Sequence, residues 1–461
     1  MNSQSKKMEL LGSASIPKAL LAMGIPTMIG MLVNAFYNLV DAYFVGGLGE
    51  SQMGAISVVY PLGQVVVGLG LLFGNGAASY ISRLLGRGDN ENADKVASTA
   101  LYSSISVGAV IIIISMVFLH PILKLLGATD SILPYAATYA GIYIVSCIFN
   151  VFNVTMNNIV TSEGAAKTTM CALLTGAVLN IALDPLFIYV FDLGVAGAAI
   201  ATAISQVVST CVYLTYILRK KSVFHFRVKD CTYSKEIMSE IFKIGIPTLV
   251  FQILTSLSIS LINNAAGDYG DSAIAGMGVV TRLISMGSLS VFGFIKGFQP
   301  IAGYSYGAKK FDRLRESIKT SILWSTVFCV IFGLVLTLFS TAIVSQFTKG
   351  DAEMIRIGAT SLKANGITIM LFGFYTVYSS LFLALGKGRE GFILGACRQG
   401  ICFIPVILLL PMVWGLNGIL YAQPIADVLS AIITVFMAIP LHKRLNEMQK
   451  QIATISTNNK N

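Results

Sequence analysis

Charge is what this chain has least of. Only 12% of its 461 residues are Asp, Glu, Lys or Arg, about half the share usual in soluble domains. With 55% hydrophobic residues and a mean hydropathy of +0.75, a soluble fold would leave much of its surface apolar, so the chain belongs in a bilayer. Histidine is nearly missing. The three present, His120, His225 and His442, all flank apolar runs, which leaves histidine catalysis and His-rich metal sites almost without material. The seven cysteines are odd in number and form no CxxC pair. Six lie in apolar segments and only Cys231 in a polar loop, so they read as reduced helix residues rather than disulfides or metal ligands. No GxxxxGK[ST] stretch occurs, which excludes a P-loop pump. An integral membrane enzyme would need a nucleophile–base set, a di-metal carboxylate cluster or a His-rich motif, and the sequence has none. The expectation is therefore a protein that is not an enzyme and carries no cofactor.

What the chain has in quantity is long apolar runs. A bilayer core takes about 20 residues per helix, and twelve candidates fall at roughly 19–45, 53–82, 93–119, 132–160, 167–190, 194–218, 238–265, 272–303, 316–345, 353–385, 391–413 and 416–441. The runs are continuous rather than alternating, which favours helices over a barrel. The start, MNSQSKKMELLGSASIPKAL, is polar, and no small-residue cleavage site follows the first run, so the first helix is expected to be retained. Lysine and arginine orient the spans. With the N-terminus in the cytoplasm, 25 fall on inner loops and tails, three outside (Lys124, Lys349, Arg356) and four within spans (Arg282, Lys296, Lys363, Arg398). That bias predicts both termini in the cytoplasm. It also explains the net charge of +10 as a property of the inner face, so the basic stretch 219–243 reads as a solvated, lipid-facing linker and not a nucleic-acid site.

The same linker divides the spans six and six. The tetrapeptide GIPT opens both sets, at Gly24–Thr27 and Gly245–Thr248. Shifting the sequence by the separation of these copies aligns LGESQMGAISVVYPL (48–62) with YGDSAIAGMGVVTRL (269–283) without a gap. The shift also pairs Gly76 with Gly297, Gly86 with Gly307, Gly194 with Gly415 and Gly197 with Gly418. An even number of spans per repeat sends both halves into the membrane from the same side, related by a pseudo-two-fold axis along the membrane normal. The expected lobes are residues 1–225 (spans 1–6) and 226–461 (spans 7–12). Paired bundles with a cleft between them suit alternating access.

Polar residues within spans are functional candidates. Asn34, Asn38 and Asp41 recur along one stripe of span 1. Asn180 and Asp184 lie one turn apart on span 5, where Pro185 cannot donate to the carbonyl of Ile181. Ala198, Thr202 and Gln206 share a face of span 6. Asp41, Asp184 and Thr202 all fall in the outer half of the first bundle. This oxygen-rich set suits a proton shared between carboxylates or a sodium ion; a structural network tying three helices is the competing reading. The second bundle is basic, with Arg282, Lys296, Lys363 and Arg398 against one clear acid, Asp427. Arg398 sits where snorkelling toward the inner face is expected. Asp427 is expected either to pair with one of these bases, Lys296 among them, or to leave Lys296 for an anionic substrate group. Arg282, Gln299 and Met286 complete the candidate cavity lining.

These features together match a known pattern. The six-plus-six repeat, the GIPT starts, SRLLGRGD after span 2 and LDPLFIYVFDLGVAGAAIATAIS across spans 5 and 6 resemble the MATE (multidrug and toxic compound extrusion) family over nearly the whole chain. SYISRLLG and EIFKIGIP are most similar to its MepA-like bacterial branch. The resemblance implies an all-α membrane protein of twelve helices in two bundles. It implies antiport: export of small, drug-like organic compounds, often cationic, against inward protons or sodium, with Asp41, Asn180, Asp184 and Thr202 as the cation site. The alternatives are a lipid or glycolipid flippase of the same superfamily, or an exporter of an anionic metabolite. The expected setting is the inner membrane of a bacterium, as a monomer, with the bilayer and a small molecule as partners and no nucleic acid. The chain departs from the family in the second bundle: span 7 has no acid, span 8 carries Lys296 where a glutamate is expected, and span 10 carries Lys363.

Overall fold

The computed structural model describes residues 3–348 and 351–458; Lys349 lies outside them. Among the described residues the secondary structure is entirely helical. Twelve helices are long and apolar enough to span a membrane: Ile16–Gly46, Ser51–Arg87, Asn90–Val117, Leu133–Ser162, Ala166–Val190, Gly194–Leu218, Lys235–Gly267, Asp271–Gly307, Phe311–Leu338, Ala352–Ala384, Gly388–Trp414 and Leu416–Gln451. They are spans 1 to 12 below. Each expected run is present, and most extend several residues further at the end where both termini lie, called here the basic end.

The packing repeats. Span 1 packs on span 5, span 2 on span 4, span 4 on span 6 and span 5 on span 6. The pairs 7–11, 8–10, 10–12 and 11–12 reproduce this in the second half. Short helices at Leu119–Leu125 and Ser340–Ser345 link spans 3–4 and 9–10 at equivalent places. Gly49 and Gly270, equivalent by the sequence shift, both take the positive φ that a non-glycine residue would strain to adopt. The halves meet through spans 1 and 8 and, reciprocally, 7 and 2.

That crossing explains the repeated tetrapeptide. A Cβ on Gly297 would come within 2.5 Å of the backbone at Met23 and Gly24, and one on Gly245 within 2.1 Å of the Leu72 carbonyl. Only glycine lets these helices approach so closely. At the basic end the arrangement is reciprocal: Gly86 abuts the Tyr304 carbonyl and Gly307 the Arg83 carbonyl, at would-be Cβ distances of 2.2 and 2.1 Å. The Arg83–Glu240 ion pair (2.6 Å) ties the halves there as well, so the two bundles close on one another at the basic end.

Two segments differ from expectation. Residues 219–234 are not a free linker. Phe224 and Phe226 are buried, the His225 backbone N–H donates to Asp94 (2.8 Å), and Tyr102 donates to the Phe226 carbonyl (3.0 Å). Two aromatic side chains in the basic loop supply the apolar area that pins it to span 3. The polar start forms a helix, Ser3–Gly12, docked across both halves. On one side Lys7 bonds Glu163 (3.3 Å). On the other Lys310 donates to the Gly12 carbonyl (2.8 Å) and Arg313 to the Leu11 carbonyl (3.2 Å). The seven cysteines are all unpaired.

Candidate functional site

Spans 1, 5 and 6 bring the first polar set together. Span 5 changes from α to π geometry at Leu186–Val190, immediately after Pro185, whose missing N–H breaks the α ladder beside Asp184. Asp184 and Asn180 are fully buried and Thr202 nearly so. Asn180 Nδ2 donates to Asp184 Oδ1 (3.3 Å) and to Thr202 Oγ1 (3.4 Å). The Asp41 and Asp184 carboxyls lie within hydrogen-bond reach of each other, with Tyr37 and Tyr139 beside them. Three oxygens of the set, Asp41 Oδ1, Asp184 Oδ2 and Asn180 Oδ1, are buried and lack a donor. Two carboxyl groups in contact form no hydrogen bond while both are ionised; a hydrogen bond between them needs one to carry a proton.

Asn34 does not join this set. Its side chain is exposed and accepts from Asn38 Nδ2 one turn on (2.9 Å). Asn34 and Asn38 share Asp41's helical stripe but lie about two turns and one turn, respectively, nearer the basic end.

The second candidate site is a cavity of about 550 Å³, within the range of small-molecule sites. The first half contributes Met31, Tyr60, Asn75 and Asn158, and the second half most of the remainder. Polar contacts between the halves cross it: Asn75 Nδ2 to Thr248 Oγ1 (2.8 Å), Gln252 Nε2 to Gln64 Oε1 (2.8 Å) and Gln299 Nε2 to Asn75 Oδ1 (3.3 Å). Lys296 and Gln299 line the cavity, as expected, and the Lys296 ammonium donates to Asn157 Oδ1 on span 4.

Arg282 and Met286 are exposed and outside the cavity wall. The lining positions of span 8, among them Thr281, Ser285, Ser288, Phe292, Lys296 and Gln299, form one stripe, and residues 282 and 286 sit roughly 100° or more around the helix from its centre. Asp427 is also outside the wall. It pairs with Arg398 (Nε to Oδ1, 2.8 Å), not with Lys296, and accepts from Gln423 (2.8 Å). Arg398 does not snorkel. A π-turn at Cys397–Ile401 places it mid-span, buried and lining the cavity, against the face of Phe372. Sequence reading missed the role of Asn75, Asn157, Thr248 and Gln252. Their spacing within apolar spans was the available signal, but a lone amide in a helix does not say which neighbour it faces.

A family model described as MatE matches residues 26–186 and 247–409, so it matches this chain twice. The multidrug export protein MepA of Staphylococcus aureus (strain MSSA476) is 32% identical over 429 residues, covering 93% of this chain and 94% of that protein. MepA of Staphylococcus saprophyticus is 32% identical over 433 residues, covering 94% and 95%. Among solved structures, one described as the outward-facing conformation of a multidrug resistance MATE family transporter has a TM-score of 0.90 at 27% identity, covering 96% of this chain and 99% of that one. A transporter from Pyrococcus furiosus, described by the reverse polarity of its binding pocket and a suggested different function, has a TM-score of 0.88 at 26% identity with the same coverage.

Proposed function

This chain belongs to the MatE family of membrane transporters, and on that premise we propose that it is a multidrug efflux antiporter of a bacterial cell membrane, exporting small amphipathic organic compounds against an inward flow of protons or sodium ions. The observation that carries the coupling half of this reading is the contact between the Asp41 and Asp184 carboxyls within a buried set that has three donor-less oxygens. Two unit charges about 4 Å apart repel by about 4 kcal/mol at an effective dielectric constant near 20. One cation removes that repulsion and lets span 1 settle on spans 5 and 6; its departure drives span 1 away. A cation taken from one side and lost to the other therefore biases the position of span 1. Span 1 is also the helix whose glycine seats span 8 of the other half, so this motion reaches the cleft.

The basic end is assigned to the cytoplasm from the distribution of Lys and Arg. On that assignment the described arrangement has its cytoplasmic side shut, and the coupling carboxylates are nearer the outside, where the driving cation is taken up. The chain's own residues supply every group this scheme needs. The test is transport by the purified protein in liposomes, with a proton gradient and a sodium gradient imposed separately. Accumulation of a fluorescent organic substrate against its gradient with one of the two is the expected result. Equal uptake with and without any gradient would refute antiport.

A further inference from the structure

The cavity wall has an uneven charge. Among the described residues it includes Lys296 and Arg398 but no Asp or Glu. Asp41 and Asp184 belong to the other site, and Asp427 is turned behind Arg398. That ion pair uses Arg398 Nε. Its Nη2 is buried without a hydrogen-bond partner on a side chain only 5% exposed. Lys296 has no carboxylate within ion-pair distance and spends one donor on the neutral Asn157 amide, leaving its charge uncompensated. Positive charge without a matching carboxylate is costly in so enclosed a wall, and both residues line the one cavity. Beside them is an apolar platform: Phe251 and Phe292 line the cavity, Phe292 meets Phe372 edge to face (5.4 Å), and the Arg398 guanidinium covers the Phe372 ring at 4.6 Å.

We propose that this cavity selects amphipathic anions: an oxyanion, carboxylate or phosphate, held between Lys296 and Arg398, with an apolar or aromatic body against Phe251 and Phe292. The proposal rests on the export reading above and specifies its substrate class. Arg398 offers a planar edge suited to two oxygens of one oxyanion. Lys296 supplies a point charge on a flexible stem. Gln299, whose side-chain amide keeps a second N–H beyond its bond to Asn75, provides a neutral donor in the same wall. Such an anion is carried either by a soluble compound or by a lipid headgroup, and the recognition chemistry is the same.

Binding separates this proposal from coupling. The full chain is placed in phosphatidylcholine nanodiscs, and the anionic dye fluorescein and the cationic dye rhodamine 6G are titrated by fluorescence anisotropy. Wild type is expected to bind fluorescein more tightly than rhodamine 6G. Lys296→Gln should weaken fluorescein at least about tenfold, the loss of one charge-assisted bond, without weakening rhodamine 6G; Lys296→Arg should restore fluorescein. If Lys296→Gln does not reconstitute, displacement of fluorescein from wild type decides: octanoate should displace it and octylamine should not. Adding phosphatidylglycerol to the discs distinguishes the sources. Competition by this anionic lipid assigns the site to a headgroup, and unchanged fluorescein affinity assigns it to a soluble anion. Tighter binding of rhodamine 6G by wild type, equal fluorescein affinity in wild type and Lys296→Gln, or displacement by octylamine alone would overturn the proposal. Fluorescein binding without gradient-driven accumulation would refute the export reading and leave the anion site standing.

Discussion

Replacing Lys7 with methionine removes what is, among the described residues, the only basic partner of a fully buried carboxylate. Glu163 is 0% exposed and accepts from Lys7 (3.3 Å), Ser222 Oγ (3.0 Å), the Val223 N–H (2.6 Å) and the Tyr216 hydroxyl. Breaking a buried pair from one side costs roughly 3–5 kcal/mol. The three remaining donors hold the loss near the low end, about 3 kcal/mol, which in a chain of this size is a fall in Tm of about 3 °C. The loss has a pH signature. Burial already holds Glu163 above the ordinary glutamate range, and Lys7 opposes that shift; without Lys7 it rises further. A carboxyl whose pKa is higher folded than unfolded binds the extra proton in the folded state, so its contribution falls as pH rises through that interval. The Lys7→Met deficit should therefore be small near pH 5 and full near pH 8, read as thermal unfolding in detergent. Glu163→Gln in the same background should recover stability at pH 8 and flatten the profile. A deficit independent of pH, or none at all, would refute the assignment of Glu163 as the buried charge that the N-terminal helix neutralises.

Gly297→Leu would place a side chain against the Met23–Gly24 backbone, which cannot yield as a side chain does. We expect a loss of about 1–3 kcal/mol and faster maleimide labelling of a cysteine substituted at buried Ser82, in a background without the native cysteines, as the halves part. Asn180→Ala strips Asp184 and Thr202 of their shared donor. It should slow gradient-driven transport by about tenfold, the rate equivalent of 1.4 kcal/mol, whereas Asn34→Ala, at an exposed position, should leave the rate unchanged. Arg398→Gln leaves Asp427 buried with only neutral donors and should cost about 3–5 kcal/mol of stability; adding Asp427→Asn should recover most of it.

Spans, repeat and the carboxylate cluster were legible because each follows from one-dimensional patterns. Apolar length marks a helix. A fixed shift that aligns Gly76 with Gly297 and Gly86 with Gly307 marks a duplication, and the structure uses those same glycines at equivalent crossings. Asp41 and Asp184 were recoverable because an acid in a span needs a partner and few were available. What failed was rotation and reach. Arg282 and Met286 differ from the cavity-lining residues only in angle around span 8, which requires knowing where the neighbouring helix lies. Asp427 had several bases at similar depth, and the π-turn that presents Arg398 to it has no clear sequence mark. The docking of Ser3–Gly12 depended on Lys7 meeting Glu163 across 156 positions, a pairing between two segments that look merely polar.

The central claim is that Asp41 and Asp184 couple the driving cation to transport. Its most direct test compares Asp41→Asn with wild type in the same proteoliposomes under two regimes: substrate exchange with no gradient, and accumulation under the cation gradient that drives wild type. The account predicts that Asp41→Asn folds, inserts and still exchanges substrate, because the cavity is separate from the carboxylate pair, but no longer accumulates it. Accumulation by Asp41→Asn at the wild-type rate would contradict the account and reduce the pair to a structural tie among three helices.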